Sequence, residues 1–167
     1  DNGEIWCFKD QNWIKIESLV SEDLNDIVFE GERGLISGSS GLILGSENNG
    51  ETWEIRETPE EVSNSNIISI GFYGMNRGYA ITSDGQILKS TQEALTTTVG
   101  YYWYLKEIES ENMSTTLGIN LTSIEVLSTT KILLSGENGY IALSKDGGNI
   151  VGPQLLPVEG DFTINDI

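Results

Sequence analysis

The chain has 167 residues, of which 38% are hydrophobic, and it carries 26 acidic against 9 basic residues for a net charge of −17. This length allows a hydrophobic core, no apolar run approaches the length of a membrane span, and the single cysteine, Cys7, excludes an internal disulfide. The charge excludes nucleic acid as a partner, because binding phosphates requires clustered lysine and arginine.

A short motif recurs four times: a small polar residue, a glycine and, two places after the glycine, an isoleucine. Asn-Gly and Asp-Gly pairs predict tight β-hairpins, because both residues accept a positive φ angle. The turn glycines lie 38, 44 and 54 residues apart, which suits a four-stranded propeller blade of about 40–50 residues. The copies are Asn2-Gly3-Glu4-Ile5, Ser40-Gly41-Leu42-Ile43, Asp84-Gly85-Gln86-Ile87 and Asn138-Gly139-Tyr140-Ile141.

The predicted fold is therefore all-β, a β-propeller of four-stranded antiparallel blades with about three full blades and a partial blade at each end. No helix longer than one turn is predicted. We expect a segment of a larger propeller, the alternative being a four-bladed ring closed by pairing of the two chain ends. In chain order, the predicted units are the last two strands of a blade (1–20), three blades (21–63, 64–110 and 111–160) and the first strand of a next blade (161–167).

The turn after the third strand of a blade carries the most specific motif. The segment Ser46-Glu47-Asn48-Asn49-Gly50-Glu51-Thr52-Trp53 resembles the Asp-box of bacterial-neuraminidase-type (BNR) repeats, with Asn48 in place of the usual aspartate. Ser144-Lys145-Asp146-Gly147-Gly148 is a second copy that keeps the aspartate. We expect a structural role, since an Asx side chain can close a tight turn and a tryptophan can anchor it. The structural residues predicted are Ser46, Asn48, Gly50, Thr52, Trp53, Ser144, Asp146 and Gly148.

Propellers with this box include sialidases, xyloglucan-cleaving endoglucanases and sortilin-type receptors. With its Gly78-Tyr79-Ala80 strand and its Asp84-Gly85 turn, the chain is most similar to the photosystem II stability and assembly factor-like family, which includes phage structural proteins. The resemblance implies an assembly module without catalysis. Such factors bind their partner through basic residues on one face, a mode that nine basic residues place in doubt. The acidic, cysteine-poor surface favours a virion or extracellular location over the cytoplasm.

The sequence offers no catalytic constellation, so we predict no enzyme, no cofactor and no metal. It has no histidine and one cysteine, which leaves no basis for nucleophilic triads or zinc ligation. Arg33 and Arg77 occupy equivalent turns and, with Arg56, are expected to be solvated charges, not the carboxylate clamp of a sialidase. The alternative is a carbohydrate-active propeller, either a sialidase-like or xyloglucanase-like glycosidase or a glycan-binding module, with catalytic residues outside this segment.

The expected partner is a protein within a larger assembly, with a glycan as a second possibility and neither nucleic acid nor a membrane interior involved. The segment from Thr91 to Tyr104 breaks the repeat, since it holds an insertion from Thr91 to Tyr101, and loops on a rigid scaffold often carry binding residues. Tyr101 and Tyr102 are the candidate partner contacts, because exposed tyrosines commonly anchor interfaces. Trp103 is expected to belong to an ordinary last strand.

Overall fold

The computed structural model describes residues 2–74, 77–92, 101–105, 120–145, 147, 154–155 and 165. Two single-turn 3₁₀ helices, Glu60–Val62 and Glu137–Gly139, interrupt an otherwise β structure. No helix in these ranges has the length and apolarity needed to cross a membrane. The strands are β1 (Ile5–Lys9), β2 (Asn12–Ile16), β3 (Leu24–Glu30), β4 (Arg33–Gly38), β5 (Ile43–Ser46), β6 (Glu54–Arg56), β7 (Ile67–Tyr73), β8 (Arg77–Thr82), β9 (Ile87–Gln92), β10 (Tyr101–Leu105), β11 (Leu121–Val126), β12 (Ile132–Gly136), β13 (Tyr140–Ser144) and β14 (Gln154–Leu155).

The strands pair in chain order into antiparallel sheets. We call β1–β2 the half-blade, and β3–β6, β7–β10 and β11–β14 the first, second and third blades. This pairing confirms the predicted all-β class with four-stranded antiparallel blades. The proposed residue limits of the blades stay a prediction, and of the strand expected at 161–167 the structure describes only Asn165.

The predicted hairpins form between the second and third strands of each blade. Ser40 and Gly41 both have positive φ angles, 58° and 69°, and Asn138 and Gly139 have 55° and 69°. Gly41 lies close to the next connection: a Cβ there would stand 2.6 Å from the carbonyl oxygen of Val62. A residue other than glycine would thus meet both backbone strain and a clash at this turn.

The hydrophobic core lies between the blades. Alternate residues of a strand point to opposite neighbours: Leu44 joins a cluster that contains Ile5 of the half-blade, and Ile43 joins one that contains Ile67 of the second blade. A third cluster joins Ile81 and Ile87 to residues of the third blade. Since both faces of a blade are covered, its strands read as continuous apolar runs without polar alternation.

The first strands of the three blades lie side by side, with β7 between β3 and β11. A chain of polar contacts links them: Asp26 accepts hydrogen bonds from Ser69 Oγ (3.0 Å) and from the backbone N–H of Ile70 (2.9 Å). Ser69 Oγ in turn accepts the N–H of Ile124 at 3.3 Å. We call these contacts the inter-blade latch. Each of the three strands also carries a register shift just before its latch position, for example between Leu24 and Asp26.

Candidate functional site

One side of the blades, which we call the turn face, holds the connections between the first and second strands and between the third and fourth. In an antiparallel sheet with sequential strand order, these two connections fall at the same end. In the first blade they are residues 31–32 and the Asp-box segment 47–53. The other side holds the glycine hairpins and the connections between blades, and we call it the hairpin face.

The first Asp-box closes through hydrogen bonds of its own side chains. Ser46 Oγ accepts the N–H of Gly50 at 2.9 Å, and Asn48 Oδ1 accepts the N–H of Thr52 at 3.0 Å. Asn48 Nδ2 also donates to Thr52 Oγ1 at 2.9 Å. Trp53, only 7% exposed, donates from Nε1 to the carbonyl of Gly50 at 3.1 Å. Asparagine can replace the usual aspartate here, because its Oδ1 accepts the N–H of Thr52 as a carboxylate oxygen would, and its Nδ2 donates to the Thr52 hydroxyl.

The other copies of the box are described only in part. Ser144 is buried at the end of β13, while Asp146 and Gly148 lie outside the described residues. In the half-blade the box gives way to a two-residue turn in which Asp10 and Gln11 have φ angles of 52° and 63°. Because of this short turn, the stretch from Phe8 to Trp13 is two residues shorter than the equivalent stretch from Ser46 to Trp53. The assignment of a structural role to the box residues stays a prediction.

Most basic residues of this acidic chain belong to the turn face. Nine are present in total, and seven of them stand in or reach toward this side. Four belong to one corner, where two of them reach from the second blade to the two connections of the third blade that carry the others, and we call these four the basic cluster. They are Arg77, Lys89, Lys131 and Lys145.

Two members of the basic cluster are held against the third blade. Arg77 Nη1 donates to the carbonyl oxygen of Thr129 at 2.9 Å, and Lys89 Nζ donates to that of Gly147 at 3.1 Å. Both nitrogens lie 3.6 Å from the position that a Cβ would take on Gly147. Lys89 also lies over the ring of Tyr79, with 5.6 Å from Nζ to the ring centroid. A carbonyl oxygen fixes a cation without cancelling its charge, so these two contacts hold Arg77 and Lys89 in place without neutralising them.

The other two members of the basic cluster are exposed lysines at neighbouring strand ends. Ile132 pairs with Ser144 across β12 and β13. Lys131 and Lys145 are the next residue outward on each strand, and both are exposed. Their ammonium groups are therefore available to a ligand that approaches the turn face.

The first blade differs because carboxylates accompany its cations. Arg33 Nε lies 2.8 Å from Glu47, whose other oxygen lies 3.5 Å from Arg56 Nη2. The side chains of Arg33 and Arg56 are only 17% and 9% exposed. The expectation that these arginines are solvated turn charges is therefore wrong: they are packed, ion-paired parts of the Asp-box turn. Glu47 directly follows β5, and each of its two carboxylate oxygens faces one of the two arginines.

An exposed ion pair joins the half-blade to the same box. Lys9 Nζ contacts Glu51 at 2.5 Å. The hydrogen bond and charge of each partner lower the pKa of Glu51 and raise that of Lys9. Both groups are exposed, so solvent screening keeps the contribution of this pair to stability small.

The hairpin face is acidic in its described connections. Its connections hold only acidic members among their described charged residues: Glu17, Glu22, Asp23, Glu57, Glu60, Glu61, Asp84 and Glu137. Lys15, inside β2, is paired with Glu4. Within the described ranges, acidic residues thus dominate the connections of the hairpin face, while most of the cations belong to the turn face.

The remaining candidate residues do not form a reactive site in the part of the chain that the structure describes. Within the described ranges no group of three or more histidine, cysteine, aspartate or glutamate side chains could hold a metal ion. Tyr101 and Tyr102 begin β10, the outermost strand of the second blade, where they pair with Gln92 and Thr91. Trp103 follows them in the same last strand, as predicted, and it is buried. Whether the two tyrosines contact a partner stays a prediction. The basic cluster was missed because its members are 12 to 68 residues apart in sequence and meet only across blades.

Comparison with known proteins identifies the family. The family model described as photosynthesis system II assembly factor YCF48 matches residues 1–91, more than half of the chain. A curated relative, the chloroplastic photosystem II stability/assembly factor HCF136 of Oryza sativa subsp. japonica, is 36% identical over 53 residues, which are 32% of this chain and 12% of that protein. The chain belongs to this assembly-factor family.

Two solved structures share the propeller fold. YCF48 bound to a D1 peptide superposes with a TM-score of 0.61 at 19% identity, over 80% of this chain and 40% of that one. YCF48 from Cyanidioschyzon merolae gives a TM-score of 0.60 at 22% identity, over 80% and 39% of the two chains. These matches confirm the predicted propeller. The chain spans about two fifths of these solved relatives and a smaller part of the rice protein.

Proposed function

We propose that this chain is a non-catalytic β-propeller module that binds an acidic segment of a protein partner within a larger assembly, on the turn face at the basic cluster. The observation that carries the proposal is that Arg77 and Lys89 are bound to the connections that carry Lys131 and Lys145, so that four of nine basic residues belong to one corner of a chain whose net charge is −17. Arg77 and Lys89 form its fixed base, and the exposed lysines Lys131 and Lys145 form its rim.

The charge distribution makes such binding directional. A partner segment rich in carboxylates is repelled by the hairpin face and attracted to one corner of the turn face, so long-range forces orient it before contact. The arginine guanidinium offers paired N–H donors that suit a carboxylate, and lysine adds a mobile point charge. Because the cluster is small, the partner's contact is a short segment and not a broad acidic surface.

The family supports the same reading. A solved YCF48 carries a D1 peptide, so a propeller of this kind can bind a peptide. The sequence put binding through one basic face in doubt because basic residues are few. Their concentration in one corner removes that objection, since local charge and not net charge decides short-range binding.

The non-catalytic part of the proposal rests on the residues themselves. The chain has no histidine, and its carboxylates are scattered over connections or engaged with arginine, as Glu47 is. A location in a virion or at a cell surface, by analogy with phage proteins of similar repeat, stays a prediction from the sequence. Identification of the other chains in the native complex tests it.

Titration with defined peptides tests the binding site. The probe is a fluorescein-labelled glutamate decapeptide, with a glutamine decapeptide of equal length as its neutral counterpart. The variants are Lys131→Glu with Lys145→Glu, which reverse the rim of the cluster, and Lys15→Glu, which reverses an exposed lysine away from it. We expect the double variant to lose about tenfold in affinity, since two lost and reversed surface contacts amount to roughly 1.4 kcal/mol.

The three arms separate the outcomes. Binding of the glutamate peptide that weakens in the double variant and not in Lys15→Glu supports the cluster. A loss in Lys15→Glu about half as large, in free energy, as that in the double variant would mean that only overall charge matters, because the double variant changes the net charge twice as much. Equal affinity for the glutamine peptide would remove electrostatics from the recognition. Cross-linking of the native partner to Lys145 then identifies the physiological segment.

A further inference from the structure

Two exposed tyrosines stand beside the cations that form the fixed base of the basic cluster. Tyr73, the last residue of β7, pairs across the strands with Arg77 at the start of β8. Tyr104 of β10 pairs in the same way with Lys89 of β9. Directly opposed residues of an antiparallel pair have their side chains on the same face of the sheet, so each tyrosine is the immediate neighbour of one cation.

Both tyrosines remain exposed although the face of the sheet that they share packs against the third blade. On that face Tyr79 is fully buried and belongs to the core cluster that joins the second and third blades. Tyr73 is 45% exposed and Tyr104 is 38% exposed, on the innermost and outermost strands of the second blade. The second blade has a neighbouring blade on each side within this chain, so this exposure is not that of a terminal blade.

The first blade has a carboxylate at the position that Tyr73 occupies in the second. Glu30 is the last residue of β3, and it pairs with Arg33, the equivalent of Arg77. Arg33 is also ion-paired with Glu47. The arginine of the first blade therefore has acidic neighbours, whereas Arg77 has an aromatic ring beside it, which does not neutralise a guanidinium as a carboxylate does.

The cavity next to Arg77 cannot take an apolar side chain of a ligand. It lies between the first and second blades, where Arg33, Leu35 and Phe72 line it together with Arg77, and it holds only about 10 Å³. That is about the space of one water molecule. An apolar ligand residue that approaches Arg77 therefore lies on the surface, against the exposed tyrosines.

We propose, on the basis of the function proposed above, that the acidic partner segment carries aromatic residues on both sides of its carboxylates, and that these lie against Tyr73 and Tyr104. The strands β7 and β10 are three strand spacings apart, about 14 Å, which an extended chain covers in about four residues. The segment thus has two aromatic residues about four positions apart, with carboxylates between them that face Arg77 and Lys89. Contact with a tyrosine ring and with a guanidinium both favour an aromatic residue over an aliphatic one at this place.

Three fluorescein-labelled decapeptides of equal charge test the proposal on the 167-residue chain. Each has eight glutamates, and its third and seventh positions are both glutamine, both leucine or both phenylalanine. We expect the phenylalanine peptide to bind about tenfold more tightly than the glutamine peptide, because two aromatic contacts form, and the leucine peptide to fall between them. This comparison is made on the unchanged chain and does not depend on any variant.

Variants of the two tyrosines locate the contact. Tyr73→Ser and Tyr104→Ser should each remove part of the preference for phenylalanine, and the double variant should remove all of it, with the affinity for the glutamine peptide unchanged. Ile55→Ser is the matched control, since Ile55 is 56% exposed on β6, the outermost strand of the first blade. If a serine variant folds poorly, Tyr73→Leu with Tyr104→Leu keeps the apolar volume without the rings and should also lower the preference.

The outcomes separate this proposal from the function on which it rests. If the three peptides bind equally and all weaken in the variant Lys131→Glu with Lys145→Glu, the basic cluster binds acidic segments, but aromatic residues have no part in recognition and the proposal is wrong. It is also wrong if leucine gives the same gain as phenylalanine, or if the gain survives removal of both tyrosine rings. Absence of binding by all three peptides would overturn both this proposal and the proposed function.

Discussion

Removal of the Asp26 side chain tests whether the inter-blade latch stabilises the stack of blades. Asp26→Ala deletes two acceptor contacts to the second blade, with Ser69 Oγ at 3.0 Å and the N–H of Ile70 at 2.9 Å. Hydrogen bonds to a charged group contribute about 1.5–3 kcal/mol each. Ile70 is only 3% exposed, so water does not readily replace its lost acceptor. Asp26→Ala should therefore lower the free energy of unfolding by about 3 kcal/mol, near the lower end of the range for two such hydrogen bonds.

Urea unfolding followed by circular dichroism and tryptophan fluorescence measures this loss. Asp23→Ala is the matched control, because Asp23 is an exposed aspartate of the same segment and its removal changes the net charge equally. We expect the control to change stability by about 0.5 kcal/mol or less. Asp26→Asn should fall between the two, since one amide oxygen cannot serve Ile27 and Ile70 together. The reasoning is refuted if Asp26→Ala and Asp23→Ala destabilise equally.

Three further predictions concern the box, the turn and the candidate contacts. Asn48→Ala should lower the free energy of unfolding in urea by about 1–2 kcal/mol, because the N–H of Thr52 loses its acceptor. Asn48→Asp should keep most of the wild-type stability. Gly41→Ala should cost more than about 1 kcal/mol of thermal stability, since its φ of 69° is strained for alanine and the Cβ meets the carbonyl of Val62; wild-type Tm would contradict this. Replacing Tyr101 and Tyr102 by serine should weaken capture of the native partner with Tm unchanged, and undiminished capture would remove them as contacts.

The repeat made most of the fold predictable. Asn138-Gly139 and Ser40-Gly41 specify hairpins through backbone angles that few other residues accept, so each turn fixes the strands beside it locally. The Asp-box was readable for the same reason, because Ser46, Asn48 and Thr52 bond within a span of seven residues. Features that depend on short sequence separations are visible in the sequence alone.

The candidate site was not readable in this way. Arg77 and Thr129 are separated by 52 residues and come together only because the second and third blades pack against each other. The packed state of Arg33 was also missed, because its partner Glu47 comes to lie opposite it only when β4 and β5 pair. Periodicity predicts which residues share a strand face, and it does not predict which charges meet across two sheets.

The sequence by itself therefore determined the repeat, the hairpins, the four-stranded blades and the lack of a histidine-based reactive site. These follow from local backbone preferences and from composition, which need no knowledge of neighbours. Only the tertiary structure decided that Asp26 links two blades, that Ile27 is left uncovered while Ile70 is buried, and that a strongly acidic chain keeps a basic corner. Burial and electrostatic potential are properties of distance in space, and the packing of blades sets those distances.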